Sequence, residues 1–111
     1  MKKLKGFQKK YLRGLAHGAR PVVFIGHKGM TDAVIRSINE ALNTHELIKL
    51  KFIDFKEKDH KKQIVDRIEK ETECENVGII GHTVIFYRQH ADPKKRKIKI
   101  ASKEFGALTP T

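Results

Sequence analysis

Cysteine is almost absent from this chain: Cys74 is the only one. A single cysteine excludes an internal disulfide and any zinc site built on cysteines. Long apolar runs are also missing, and none approaches the roughly 18 residues of a membrane span. The first residues, Met1 to Lys5, are charged and lead into no apolar segment, so we expect no secretory signal and a cytoplasmic location.

Acidic residues are scarce relative to basic ones. The 111 residues include 24 Lys and Arg against 13 Asp and Glu, which gives a formal net charge of +11. Such an excess repels itself in the folded state, and a polyanionic partner would offset it. Nucleic acid is the first candidate and an anionic membrane surface the second. The apolar stripes are narrow enough to be used in the core, which disfavours the membrane.

The apolar pattern predicts seven elements in the order α-β-α-β-α-β-β. Helices are expected over residues 7–19, from Thr31 to Leu42, and over 56–74. The first helix should bury a stripe of Phe7, Tyr11, Leu12, Leu15 and Ala16. Strands are expected over 22–25, 47–55, 77–80 and 83–87, the last two as a hairpin. The wholly apolar run 22–25 should be buried on both faces or nearly so.

These elements predict an α+β sandwich, with a mixed four-stranded sheet packed against three helices. The length fits one domain with a tail. We expect residues 1–88 to form the domain and residues 89–111 to be a basic, mobile tail, because the core pattern fades after Arg88. Deleting this tail should then leave the melting temperature nearly unchanged.

The main candidate site is the loop Gly26-His27-Lys28-Gly29 between the first strand and the second helix. Its glycines allow a sharp turn and close approach of a ligand. Thr31 can cap the following helix, whose N-terminus favours a phosphate. The KH module clamps a nucleic-acid backbone with a two-glycine loop of this kind. The nucleotide-binding patterns G-x-x-x-x-G-K-[ST] and G-x-G-x-x-G are absent.

Further basic residues could extend this site if they share its surface: Lys9 and Arg13 on the first helix, and Lys49 and Lys51 on the second strand. Of the two tyrosines and six phenylalanines, most fit inward stripes, and Phe105 is the only clear outsider. We therefore expect recognition of the nucleic-acid backbone rather than sequence-specific stacking on bases.

Catalysis and metal binding have little support. The six histidines include no H-x-x-x-H pair, so we expect no metal site and no cofactor. Cys74 has no base placed near it by the sequence, and the acids of the third helix form a solvated face. We therefore expect that this protein is not an enzyme.

Several separated motifs together resemble the CRM domain (chloroplast RNA splicing and ribosome maturation). They are L-R-G-L-A-H from Leu12, P-V-V from Pro21, I-G-H-K-G-M-T from Ile25, H-E-L-I-K-L-K from His45 and I-G-H-T-V-I-F-Y-R from Ile80. The resemblance covers about residues 4–88 and is greatest to the bacterial stand-alone, YhbY-like members.

This resemblance implies an RNA-binding domain similar to the C-terminal domain of translation initiation factor three. It implies that Gly26, Lys28 and Gly29 contact RNA, while His27 stands where the family commonly has lysine. A histidine makes the charge there depend on pH. The family's bacterial members are linked to precursors of the large ribosomal subunit.

The resulting prediction is a monomeric, non-catalytic protein that binds ribosomal RNA during maturation of the large subunit. A general RNA chaperone, or a translation factor on mature ribosomes, is the alternative within nucleic-acid binding. A peripheral binder of anionic membrane is a remote alternative.

Overall fold

A computed structural model describes residues 3–26, 29–53 and 58–100. The predicted order of elements is confirmed: α1 (Gly6–Ala16), β1 (Val23–Ile25), α2 (Asp32–His45), β2 (Leu47–Phe52), α3 (Lys58–Thr72), β3 (Glu75–Ile80) and β4 (Thr83–Tyr87). A short 3-10 helix, Pro93–Lys95, follows. Three α-helices and a mixed four-stranded sheet make up the α+β fold that the pattern indicated.

The first helix is shorter and less buried than predicted. It begins with a capping box in which Gln8 Oε1 accepts the backbone N–H of Lys5 at 2.8 Å, and it ends at Ala16 rather than Ala19. Leu12 and Ala16 are buried, whereas Tyr11 and Leu15 of the predicted stripe are 37% and 46% exposed. The buried stripe of α1 is therefore narrow, because the helix covers only part of one sheet face.

The strand order in the sheet is β1-β2-β4-β3. Strands β1 and β2 are parallel, and the other two pairs are antiparallel. Helices α2 and α3 cover one face, where Ile48, Leu50 and Phe52 join the larger core. Helix α1 packs on the opposite face against a smaller cluster of Val77, Ile85 and Tyr87. The sheet thus has two unequal cores.

Strand β1 is less buried than the sequence predicted. Val23 and Ile25 are buried, but Val22 and Phe24 are 47% and 52% exposed, so the expectation of a strand buried on both faces is wrong. The physical reason is position, since β1 is an edge strand and α1 packs on β2, β3 and β4. Alternate side chains of β1 therefore face the uncovered part of the sheet.

Arg88, the last residue of the segment that resembles the CRM domain, forms hydrogen bonds with two helices. Its guanidinium donates to Asn39 Oδ1 at 2.8 Å, to Asn43 Oδ1 at 2.9 Å and to the carbonyl of Thr72 at 2.7 Å. These acceptors lie on α2 and at the end of α3. Arg88 therefore stabilises the packing of the domain.

Residues 89–100 lie against the domain. The buried carboxylate of Glu46 accepts the backbone N–H groups of His90, Lys97 and Ile98 at 2.7, 2.6 and 3.0 Å. Ile98 and Ile100 pack on the smaller core beneath α1. The sequence did not indicate these contacts. The mobility predicted for residues 89–111 stays a prediction, and residues 101–111 lie outside the described residues.

Candidate nucleic-acid interface

The C-terminal ends of β1 and β2 and the β3–β4 hairpin lie together at one end of the strands. We call this end of the sheet the loop edge. Parallel pairing brings the C-terminal ends of β1 and β2 together, and the N–H of Ile53 donates to the carbonyl of Ile25 at 2.7 Å. The N–H of Phe52 donates to the carbonyl of His82 at 2.8 Å, which adds the β3–β4 hairpin. The glycine loop, which begins at Gly26, starts from this edge.

The glycine loop is a tight turn that needs glycine at its end. The N–H of Gly29 donates to the carbonyl of Gly26 at 2.9 Å, and Gly29 has a φ of +72°. A Cβ at either glycine would meet no atom within 4 Å among its surroundings. Glycine at 29 is therefore favoured by the backbone angle and not by crowding, and no described atom crowds either glycine. His27 and Lys28 lie outside the described residues.

The start of α2 is capped as predicted. Thr31 Oγ1 accepts the N–H of Val34 at 3.2 Å, so the Thr31 side chain acts on its own helix. Asp32 places a carboxylate in the first turn, which partly compensates the positive end of the helix dipole. The open backbone of the glycine loop is thus a better place for a phosphate than the helix end itself.

The two lysines of β2 lie on the sheet face opposite α2 and α3, as the alternation predicted. Lys49 Nζ donates to the carbonyl of His17, just past α1, at 3.1 Å. Lys51 is exposed and pairs in register with Phe24, two residues before Gly26. Lys51 forms no hydrogen bond or ion pair with any described residue. It is therefore a free cation close to the glycine loop.

The two basic residues of α1 lie further from the loop edge. Arg13 Nη1 donates to the carbonyl of Val77 at 2.8 Å, and its stem lies over Gly78, where a Cβ would come within 2.5 Å of Arg13 Cδ. Lys9 Nζ forms an ion pair with Glu75 Oε2 at 3.4 Å. Both side chains hold α1 on β3. The structure thus brings Lys51 to the loop, places Lys49 one row behind it, and leaves Arg13 and Lys9 on the far side of the face.

Phe24 was not predicted as a site residue. It is 52% exposed beside Lys51, although most aromatic residues were expected to point inward and Phe105 was the only clear outsider. Alternation with the buried Val23 and Ile25 was the available signal, but the sequence did not show that β1 is an edge strand. Phe105, the aromatic residue expected to be exposed, lies outside the described residues.

The described residues offer little chemistry for catalysis. Burial raises the pKa of the Cys74 thiol to about 11, an effect that a hydrogen bond with Thr72 only partly offsets. This thiol is protonated at neutral pH and is a poor nucleophile. Within residues 3–26, 29–53 and 58–100, no group of three or more His, Cys, Asp or Glu could hold a metal ion. No helix in these ranges is long and apolar enough to cross a membrane.

Comparison with known proteins places these features in a family. An RNA-binding protein of Haemophilus influenzae is 41% identical over 87 residues, which cover 78% of this chain and 87% of that protein. The Probable RNA-binding protein YqeI of Bacillus subtilis is 34% identical over 92 residues, covering 83% and 95%. These names mention no catalytic activity.

A solved structure shares the fold. The solution structure of the hypothetical protein SAV1595 from Staphylococcus aureus superimposes with a TM-score of 0.72 at 33% identity, covering 87% of this chain and 100% of that one. The model of the CRS1 / YhbY (CRM) domain matches residues 4–88, the span in which the sequence motifs occur. The chain therefore belongs to the CRS1 / YhbY (CRM) domain family.

Proposed function

We propose that this protein is a non-catalytic RNA-binding protein that binds ribosomal RNA in precursors of the large subunit. The observation that carries the proposal is the loop edge, where the turn from Gly26 to Gly29 starts close to Lys51, which has no partner among the described residues, in a chain of net charge +11. Glycine at both ends of the turn lets a phosphate approach the backbone there, and a nearby ammonium stabilises its charge.

The arrangement favours contacts with the RNA backbone for the main part of the affinity. Gly26, Gly29 and the Thr31-capped start of α2 would orient a phosphate, with His27 and Lys28 as its nearest side chains by sequence. Lys51 and Lys49 would extend the contact across the sheet face. Arg13 and Lys9, which hold β3, would add long-range attraction rather than direct contacts.

The RNA part of the proposal is supported by the relatives, which are named as RNA-binding proteins. The ribosomal part is supported by membership of a family whose bacterial members are linked to large-subunit precursors. A general RNA chaperone or a translation factor on mature ribosomes would use the same contacts. These alternatives differ in the particle that the protein accompanies.

A pair of variants at Gly29 tests the site and the target together. Asn and Asp have nearly the same shape, and both tolerate a positive φ, so Gly29→Asn and Gly29→Asp impose similar backbone strain and differ in charge. We expect the wild-type protein and Gly29→Asn to co-sediment with precursors of the large subunit in gradients of cell extract. Gly29→Asp should remain at the top of the gradient, because its carboxylate repels the phosphate.

Circular dichroism and thermal melting of both variants show whether they are folded to the same extent. A folded Gly29→Asp protein that sediments like Gly29→Asn would remove the glycine loop from the interface. Co-sedimentation of the wild-type protein with mature ribosomes or small subunits alone would contradict the role in large-subunit maturation.

A further inference from the structure

One row of side chains crosses all four strands on the sheet face that carries α1. The register pairs Phe24 with Lys51, Lys51 with Thr83, and Thr83 with Ile80. Directly paired residues share a face, so these side chains form one line at the loop edge. Three strand spacings make the line about 14 Å long. We call these four residues the open row.

The open row is uncovered because α1 lies over the other end of the same face. The residues buried beneath α1 are Val77, Ile85 and Tyr87, which lie further from the loop edge. In the open row, Phe24 is 52% exposed and Ile80 is 64% exposed. A single exposed apolar side chain is ordinary, but an aromatic ring and an isoleucine aligned at the ends of one row form a surface that can bind a partner.

The positive charge in the open row limits which kinds of partner can bind there. Lys51 lies between the two apolar side chains and has no ion-pair partner among the described residues. An apolar protein surface would bury this ammonium without compensation, which is costly. A second copy of the chain would bring a net charge of +11 against the same charge. A partner with flat apolar faces and a negatively charged backbone satisfies both the ring and the ammonium.

We propose that the open row is a binding platform for unpaired RNA bases, with Phe24 as the stacking residue and Lys51 on the adjoining phosphate. Aromatic side chains beside cations are the usual basis of single-strand binding, and stacking tolerates any base. The inference rests on the proposed function, and it specifies the substrate as RNA with an unpaired segment next to the backbone held by the glycine loop.

The position of Phe24 in the chain links the two parts of this surface. Phe24 is two residues before Gly26, at the end of β1 from which the glycine loop starts. A phosphate at the loop and a base on Phe24 would therefore belong to neighbouring nucleotides. The protein would then prefer a helical RNA with an unpaired flank or bulge over a blunt duplex.

Two substitutions of Phe24 test stacking, with oligouridine as the single-stranded probe and a blunt RNA duplex of the same length for comparison. Phe24→Ala should weaken oligouridine binding about tenfold more than it weakens duplex binding. The chain contains no tryptophan, so Phe24→Trp introduces a single tryptophan, whose fluorescence can be excited separately from that of the two tyrosines. Phe24→Trp should bind oligouridine at least as tightly as the wild type, and its fluorescence should be quenched on saturation.

Ile79 provides the matched control. It is 56% exposed, close to the value for Ile80, but its partner Val84 belongs to the core on the other sheet face. Ile79→Ala should leave both affinities as in the wild type. Equal effects of Phe24→Ala and Ile79→Ala on oligouridine, or unquenched Phe24→Trp fluorescence at saturation, would overturn the proposal.

Other outcomes separate this inference from the proposed function. If the wild type binds the duplex and Phe24→Ala keeps full affinity for oligouridine, the platform is wrong and RNA binding stands. If the wild type binds neither RNA, both proposals are wrong. If Phe24→Ala instead abolishes self-association, or binding to phosphatidylserine vesicles, while oligouridine binding persists, the open row serves that other partner and the proposal fails.

Discussion

At the scale of single residues, two buried polar groups differ in how their burial is compensated. Glu46 ends α2 with a φ of +63° and a side chain that is 1% exposed. Its carboxylate is compensated by three backbone N–H groups from residues 90–98. Tyr87 is fully buried, and its hydroxyl has no hydrogen-bond partner among the described residues. The Glu46 carboxylate therefore has its hydrogen-bond donors, whereas the Tyr87 hydroxyl has no partner among the described residues.

The Tyr87 hydroxyl leads to a prediction about alkaline stability. Burial, followed by the negative charge of Glu46, raises the pKa of Tyr87 from 10.0 to about 12. Below pH 10 this tyrosine is neutral in both states. Between about pH 10 and pH 12 it ionises in the unfolded chain first, so the free energy of unfolding falls as pH rises through this window. Tyr87→Phe should remove this part of the alkaline loss.

At neutral pH, Tyr87→Phe should keep the free energy of unfolding or raise it by about 1 kcal/mol, because it removes a buried hydroxyl that lacks a partner. Urea unfolding across the pH range measures both effects. Tyr11→Phe, at a position that is 37% exposed, is the matched control. A loss of stability in Tyr87→Phe at neutral pH would mean that the hydroxyl has a stabilising partner.

Neither residue's role was predictable from local sequence. Glu46 stands between the predicted second helix and the predicted second strand, where an acidic residue is ordinarily solvated, and its partners lie more than forty residues away. Tyr87 fits the apolar pattern of its strand, which predicts burial but not the lack of a partner. Long-range packing decides both cases, and no periodicity reports it.

At the scale of elements, the sequence predicted the order and type of the helices and strands well. It predicted poorly which parts of the sheet the helices cover. Alternation in β2 correctly placed Ile48, Leu50 and Phe52 in the core and Lys51 outside. The same reasoning failed for β1, because four apolar residues in a row carry no alternation. The exposure of Phe24 depends on where α1 sits, and the position of a helix over a sheet is a tertiary property.

The segment after β4 yields a prediction about the domain boundary. Residues 89–100 contact Glu46 and the smaller core, whereas a free tail would make no lasting contacts with the domain. Deleting the chain after Arg88 would remove the three N–H donors of the Glu46 carboxylate and the packing of Ile98 and Ile100, a loss of about 3 kcal/mol. For a domain of this size, we expect the melting temperature to fall by at least about 10 °C.

A chain that ends at Ile100 keeps all these contacts and is the matched control for the shorter deletion product. Thermal melting of the two truncated chains beside the full protein decides the boundary. If the chain ending at Arg88 melts with the full protein, residues 89–100 contribute nothing to stability, and the boundary predicted from the sequence is the right one.

At the scale of the whole molecule, the excess of positive charge is only partly neutralised within the fold. Among the described residues two acids form ion pairs, Glu75 with Lys9 and Glu71 with Arg67, and both pairs lie away from the loop edge. Glu46 is buried. None of these described acids neutralises Lys51, which is consistent with a polyanion at the loop edge. Net charge predicted a polyanionic partner and the sequence motif indicated the glycine loop, whereas the pairing of Phe24 with Lys51 next to that loop required the sheet register.

The salt dependence of binding to a large-subunit RNA fragment tests the central claim most directly. For an interface that contacts about six phosphates, we expect the logarithm of the affinity to fall against the logarithm of salt concentration with a slope of roughly −4 to −5. Lys51→Gln should make the slope shallower by about 0.7–0.9, the share of one phosphate. A nearly flat response of the wild-type protein, or a slope that Lys51→Gln leaves unchanged, would contradict an RNA interface built on the loop edge.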